Sequence, residues 1–526
     1  MKKIKIYFLV VSASLLASCT GYLDQYPHTQ TTAADVYTTA ANYKAVLGKL
    51  YASFVIAGQE KGGGNADLSS NSGFDYMRCY FNLQESGTDE IASTWLEADN
   101  VRNLTYLSWD ANDPWVSDMY YRIYYTITLS NEFLRNAGDA QIAKFSDSDQ
   151  SDIRHYRAEA RFIRALAYYH ALDLYRNIPF VTETNPIGAF LPPRYTADQV
   201  FNYIETELKA IDGDLLDKDN CEYGRASKTA AYALLARLYL NAEVYTGQAR
   251  YTDCITCCNK IIDAGYTLEP EYKKLFNADN DKRTNEIIFA FPVDAVYEVS
   301  WGASTYIVCG AVSTSSKQNP ADYGVTKGWS TFRVRGEIPA LFNAYDGRGL
   351  FFTQGQTQYL NGAIDDETEG YFVSKWTNLT DDGEQASNTD NSGVNTDFPV
   401  FRLADVYLML AESVVRGGAG SDISTALGYV NQLRARAFGA NYNAYGKLSA
   451  SDLTTDFFLD ERARELYWEC TRRTDLIRYN KFTTANYLWQ WKGGVKNGTA
   501  VDSKYNVYPI PTSDLTANPN LKNDNY

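Results

Sequence analysis

Residues Ile153, Tyr156, Ala160, Ile163, Ala167, His170 and Leu174 recur at alternating steps of three and four. Side chains at that spacing share one face of a helix, and the apolar face must be buried against a partner. Pro179 ends the run, because proline lacks an N–H and clashes with the preceding turn. A second helix is predicted from Thr196, with Gln199 completing a capping box, through Val200, Ile204, Leu208 and Ile211 to Gly213. Ser227 caps a third through Ala231, Leu235 and Leu238. A fourth carries Tyr251, Cys254, Ile255, Cys258, Ile261 and Ile262 and stops at Gly265. Helices this close in sequence pair antiparallel. They predict a mainly α fold of helical hairpins, although no clean 34-residue repeat is visible.

The middle of the chain reads differently. Residues 286–397 are rich in Gly, Ser and Asn, with short apolar runs such as Ile287–Phe291, and predict loops with a few short strands. Residues 378–397 are polar and acidic, an expected exposed loop. Helices return at 403–415, 423–438 and 457–473. The expected organisation is a helical part over about 30–280, a loop-rich insert over about 285–400 and a second helical part over about 400–526.

At the start, Lys2, Lys3 and Lys5 precede an apolar run over residues 6–16. Such a run of ~11 residues is too short to span a membrane and suits a signal peptide. Leu16-Ala17-Ser18-Cys19 resembles a bacterial lipobox, so residues 1–18 are expected to be removed and Cys19 to carry lipid. Several buried acyl chains, at ~0.8 kcal/mol per methylene, make a firm anchor.

Charge narrows the partners. The 49 basic and 64 acidic residues give −15, and loss of the three signal lysines takes this to −18. An acidic body argues against nucleic acid. Cys254, Cys257 and Cys258 look at first like a metal cluster. They lie on an apolar helical stripe with no His nearby, so they read as core and no metal is expected. Three histidines, His28, His155 and His170, give little material for a catalytic triad, and no nucleophile elbow or phosphate loop is present. Glu461, Arg462, Arg464, Glu465, Arg472, Arg473, Asp475 and Arg478, at helical spacings, read as ion pairs rather than an active site. Acidic clusters at Asp365, Asp366, Glu367 and Glu369, or at Asp381, Asp382 and Glu384, lack the spacing of a calcium loop. No cofactor is expected.

Several ordered segments together resemble the SusD/RagB family of Bacteroidetes outer-membrane lipoproteins. They begin with Leu23-Asp24-Gln25-Tyr26-Pro27 and continue with Tyr156-Arg157-Ala158-Glu159-Ala160-Arg161 and Asp173-Leu174-Tyr175. Phe401-Arg402-Leu403-Ala404-Asp405-Val406-Tyr407 follows, then Asp460-Glu461-Arg462-Ala463-Arg464-Glu465-Leu466 and Arg472-Arg473-Thr474-Asp475. The tail has Tyr508-Pro509-Ile510-Pro511 and Asn518-Pro519-Asn520-Leu521. The resemblance implies four tetratricopeptide-like helix pairs with a loop-rich, few-stranded ligand-binding region packed on them. It implies a non-catalytic cell-surface protein that binds an oligosaccharide or peptide and delivers it to a TonB-dependent SusC-like transporter. A glycoside hydrolase using paired carboxylates is the rival reading, since 64 acidic residues supply ample candidates. A helical-repeat scaffold that binds only protein is the third.

Sugar binding needs flat aromatic rings and a few placed polar groups. Two regions, expected to be loops, have this content. Residues 76–95 offer Tyr76, Arg78, Asn82, Asp89 and Trp95, and residues 301–329 offer Trp301, Tyr306, Tyr323 and Trp329. In the resembled family, ligand-contacting aromatics come from comparable regions.

Overall fold

Helices form where the capping residues stand. Thr196 and Gln199 make the full capping box of a helix over Ala197–Ala210, and Ser227 accepts from the Ala230 amide at the start of Lys228–Leu240. In this computed structural model the described residues are 33–68, 74–314, 317–388 and 393–526. The expected signal peptide and Cys19 lie outside them. The longer helices are α1 (Ala40–Ala52), α2 (Tyr76–Glu85), α3 (Pro114–Asn136), α4 (Asp147–Tyr175), α5 (Ala197–Ala210), α6 (Lys228–Leu240) and α7 (Tyr251–Asp263). They continue as α8 (Ala303–Gly310), α9 (Leu403–Val415), α10 (Ile423–Phe438), α11 (Thr455–Leu466) and α12 (Arg472–Arg478). Among the described residues, no helix is long and apolar enough to cross a membrane.

The helices pack in successive pairs: α3 with α4, α4 with α5, α6 with α7, α7 with α9, and α9 with α10. The apolar stripe of α4 accounts for this. Ile153, Ala160, Ile163, Ala167 and Leu174 are all fully buried. His170 lies on the same face, and its Nδ1 meets the Tyr76 hydroxyl at 2.7 Å. In α7, Cys254 and Cys258 are fully buried, and burial pushes the Cys257 thiol up to about 12. Among the described residues, no three potential metal ligands come together.

Strands are few and short. Antiparallel pairs join β1 (Ala92–Ser93) to β3 (Phe332–Arg333), and β2 (Ile287–Phe291) to β4 (Phe398–Arg402). The first pair holds the two expected ligand regions side by side.

Three local expectations are corrected. Residues 76–85 form a helix, not a loop, because Asp75 caps it by accepting from the Arg78 amide. Residues 303–310 also form a fully buried helix, which the loop-rich composition hid. The single helix expected over 457–473 is two, α11 and α12. Trp468 and Cys470 between them take left-handed backbone angles, φ 61° and 60°. Tertiary bonds override helix propensity there: the Trp468 amide and indole N–H both donate to Glu90, at 2.6 and 2.9 Å.

The charged signatures are paired, Arg464 with Glu461 and Arg478 with Asp475 at the expected helical spacing and the rest across the fold. Arg402 bonds Glu286, Glu465 and Glu469, and Arg348 bonds Asp346, Glu461 and Glu465. Arg462 joins Asp405 to Asp475, and Arg478 holds Glu412. Burial alone would raise the Glu461 carboxyl, but Arg348, Arg464 and Arg434 outweigh it and hold it at about 2. Such a network is costly to desolvate and costly to break, because removing one partner leaves a bare buried charge.

Candidate functional site

Asp75 begins the site. One carboxylate oxygen caps α2 and also accepts from the Ala303 amide at 3.1 Å, while the other accepts from Ser300 Oγ at 2.6 Å. The carboxylate therefore ties the start of α2 to the start of α8. Gly302 is required at the junction, because a Cβ there would lie 1.5 Å from Asp75 Oδ2. Between Ser300 and Gly302 stands Trp301, 54% exposed.

One turn into α2, Arg78 stacks between two rings, its guanidinium carbon 3.5 Å from the centroid of Phe74 and 3.9 Å from that of Tyr306. Its Nη1 donates to the Trp301 carbonyl at 2.8 Å, and its Nη2 reaches both oxygens of Asp99 at 2.9 and 2.8 Å. Asp99 is fixed further by the Tyr306 hydroxyl at 3.1 Å and by Trp115 Nε1, which donates to its carbonyl at 2.6 Å. Burial, and then the Asp99 charge, raise the Tyr306 phenol well above its ordinary range, so it stays a neutral donor.

Trp95 and Trp329 complete the wall. Their ring centroids are 6.2 Å apart and their planes 18° apart. The β1–β3 pairing brings the two rings together, because Trp95 follows β1 and Trp329 precedes β3. The Thr94 amide donates to the Thr331 carbonyl at 3.0 Å, and the Thr94 hydroxyl donates to the Ser330 carbonyl. Together, Phe74, Arg78, Trp95, Ala98, Asp99, Trp301, Lys327 and Trp329 enclose an open cavity of about 530 Å³. Broad rings and a few fixed polar groups in an open cleft suit a ligand with flat apolar faces and a hydroxyl-rich edge.

The sequence candidates divide. Arg78, Trp95, Trp301 and Trp329 line the cavity. Tyr306 and Asn82 stand behind it, the Tyr306 hydroxyl lying between Asn82 Oδ1 and Asp99, 3.1 Å from each. Tyr76, Asp89 and Tyr323 lie elsewhere and are buried. Tyr76 meets His170, and Asp89 pairs with Arg472 and accepts from Tyr487. Phe74, Ala98, Asp99 and Lys327 were not among the candidates. An aspartate among 64 acidic residues carries no local signal that marks it for a cleft.

Two other features bear on ligand chemistry. The acidic loop at 365–369 wraps the guanidinium of Arg333, which bonds the carbonyls of Ile364, Asp366 and Glu369. An internal cation thus occupies these three carbonyls. A smaller cavity of about 280 Å³ lies between residues 218–227 and β2. Charged groups on its rim are paired, Arg225 with Glu159 and Lys218 with Asp219.

Comparison with known proteins agrees with this architecture. A family model described as the SusD family matches residues 351–526, and one described as "Starch-binding associating with outer membrane" matches residues 22–240. The starch-binding protein SusD of Bacteroides thetaiotaomicron is 34% identical, over 98% of this chain and 97% of that protein. A SusD-like protein of Bacteroides ovatus is 23% identical, over 93% of this chain and 86% of its own length. Among solved structures, a SusD superfamily protein from Parabacteroides distasonis superposes with a TM-score of 0.71 at 21% identity, covering 92% of this chain and 99% of that one. Surface glycan-binding protein A from Bacteroides thetaiotaomicron, in complex with laminarihexaose, gives 0.70 at 17% identity, covering 93% and 100%. With identity of this depth along nearly the whole chain, on a matching helical fold, this chain belongs to the SusD family.

Proposed function

We propose that this protein is a non-catalytic glycan-binding lipoprotein of the cell surface. It is tethered to the outer membrane through Cys19 and presents bound oligosaccharide to a TonB-dependent transporter of the SusC type. The observation that carries this reading is the cluster of Trp95, Trp301 and Trp329 around the Arg78–Asp99 pair in one open cavity. The tryptophan faces stack on pyranose rings, and the Arg78–Asp99 pair orients ring hydroxyls. The name of the 34% identical relative and the laminarihexaose complex of a fold neighbour support a glucan as the first ligand class to test.

The same cavity argues against hydrolysis. Most glycosidases use two carboxyl groups flanking the bond, about 5–9.5 Å apart. Among the described residues, the lining carries one carboxylate, Asp99, and its oxygens are already bonded to Arg78 and Tyr306.

A protein lacking residues 1–19 should bind maltooligosaccharides or laminarioligosaccharides in calorimetric titration and return them uncleaved. Absence of affinity across a broad glycan panel would overturn the binding reading. Steady release of shorter sugars would overturn the non-catalytic one.

A further inference from the structure

Trp329 reaches the cavity from a strained piece of backbone. Ser330, next to it, takes φ 52°, a left-handed conformation that is unfavourable for a residue with a Cβ. Such a conformation persists only where the surroundings over-determine it. Here its amide donates to the Val312 carbonyl at 2.8 Å, and its carbonyl accepts from Thr94. Its hydroxyl accepts from the Thr314 amide at 2.5 Å and lies 3.1 Å from Thr314 Oγ1 and 3.0 Å from Glu367 Oε1, the charged and stronger acceptor. That same carboxylate oxygen accepts from Ser313 Oγ.

Glu367 comes from a different part of the chain. The Gln356 side chain holds the Glu367 carbonyl at 2.8 Å, and Arg333 grips the carbonyls of Asp366, just before it, and Glu369, two residues after it. Arg333 belongs to β3, the strand that Trp329 leads into. The carboxylate is thus delivered by a loop anchored on the same strand it stabilises.

We propose that Glu367 is a positioning residue for the ligand site. Acting through Ser330 and Ser313, it fixes the approach of Trp329 to Trp95 and so sets the spacing between the two stacking surfaces. This rests on the glycan-binding reading for its consequence, but the geometry it asserts exists without ligand.

The test uses the protein lacking residues 1–19, with maltohexaose and laminarihexaose as probes. Glu367→Ala is expected to weaken binding about fivefold, the worth of one or two lost hydrogen bonds. Glu367→Gln keeps an acceptor oxygen and is expected to bind within about twofold of the parent, by the same measure. Ser330→Ala removes the hydroxyl while leaving the carboxylate, and is expected to reproduce the loss. In a Trp329→Ala background Glu367→Ala should add nothing, whereas in a Trp301→Ala background its effect should persist. Without ligand, the circular dichroism of the coupled Trp95 and Trp329 indoles should diminish in Glu367→Ala and not in Glu367→Gln. An unchanged indole signal in Glu367→Ala would overturn the proposal, as would an equal loss of affinity in the Trp329→Ala background. If the parent protein binds neither sugar, the glycan reading fails while the indole signal still decides the role of Glu367.

Discussion

The hydroxyl of Thr94 donates to the main-chain carbonyl of Ser330, so one bond joins the residue before Trp95 to the residue after Trp329. Two aromatic surfaces far apart in sequence are thereby held in one frame. Thr94→Val removes that donor and leaves the β1–β3 pairing intact. Binding of a glucan oligosaccharide is expected to fall about threefold to fivefold, as one hydrogen bond of ~1 kcal/mol implies. The melting temperature should barely move. Parental affinity in calorimetry would show that the Thr94 bond does not hold the spacing.

The three tryptophans should contribute separately. Trp301→Ala is expected to weaken binding by about 1 kcal/mol, roughly fivefold, the scale of one aromatic stacking contact. Because Trp301 is more than half exposed, its loss should leave the unfolding transition in place. Trp95→Ala and Trp329→Ala should weaken binding similarly. Normal affinity in all three variants would place the ligand elsewhere.

His170 gives the fold a defined acid sensitivity. Burial lowers its pKa from 6.5 to about 3, so the folded protein keeps it neutral while the unfolded chain takes up a proton below pH 6.5. Its stabilising contribution is therefore complete above pH 6.5 and is lost as pH falls toward 3, at about 1.4 kcal/mol per pH unit. Raised carboxyls such as Glu90 and Asp397 tilt the profile the other way, so the component is read as a difference. In denaturant unfolding between pH 7 and 5, the unfolding free energy of the parent minus that of His170→Gln should fall by up to about 1.4 kcal/mol per pH unit below pH 6.5. An unchanged slope in the variant would assign the acid sensitivity to other groups.

Breaking the buried ion network should destabilise without touching the site. Arg402→Met removes the cation that Glu286, Glu465 and Glu469 share and leaves them to Arg436, Arg348 and Lys375. A loss of about 3–5 kcal/mol is expected, read as a lower denaturant midpoint. Glucan affinity at 25 °C should be retained by the fraction that is folded.

Helix faces were legible because periodicity and caps are local. Thr196, Gln199 and Ser227 announce their helices, and the α4 stripe from Ile153 to Leu174 announces its burial. The break at Trp468 was not legible, because its cause is Glu90, hundreds of positions away in sequence. The site was half legible for the same reason. Tryptophans in polar stretches stand out by composition, and Trp95, Trp301 and Trp329 do converge. Tyr76, Asn82 and Asp89 shared that composition, but Tyr76 and Asn82 lie in α2, which is buried on every side, and Asp89 lies in the buried segment beyond it. Asp99 and Phe74 matter through what Arg78 does in three dimensions, and nothing in the linear chain records that pairing.

Trp301 is presented by its main chain. Arg78 holds its carbonyl, and Ser300 and Gly302 fix the peptide units around it. What the scaffold conserves there is a location, indifferent to the side chain that fills it. Position 301 is therefore open to exchange at little folding cost, and changing that one exposed ring would alter the chemistry of the cavity wall while the frame stays as it is.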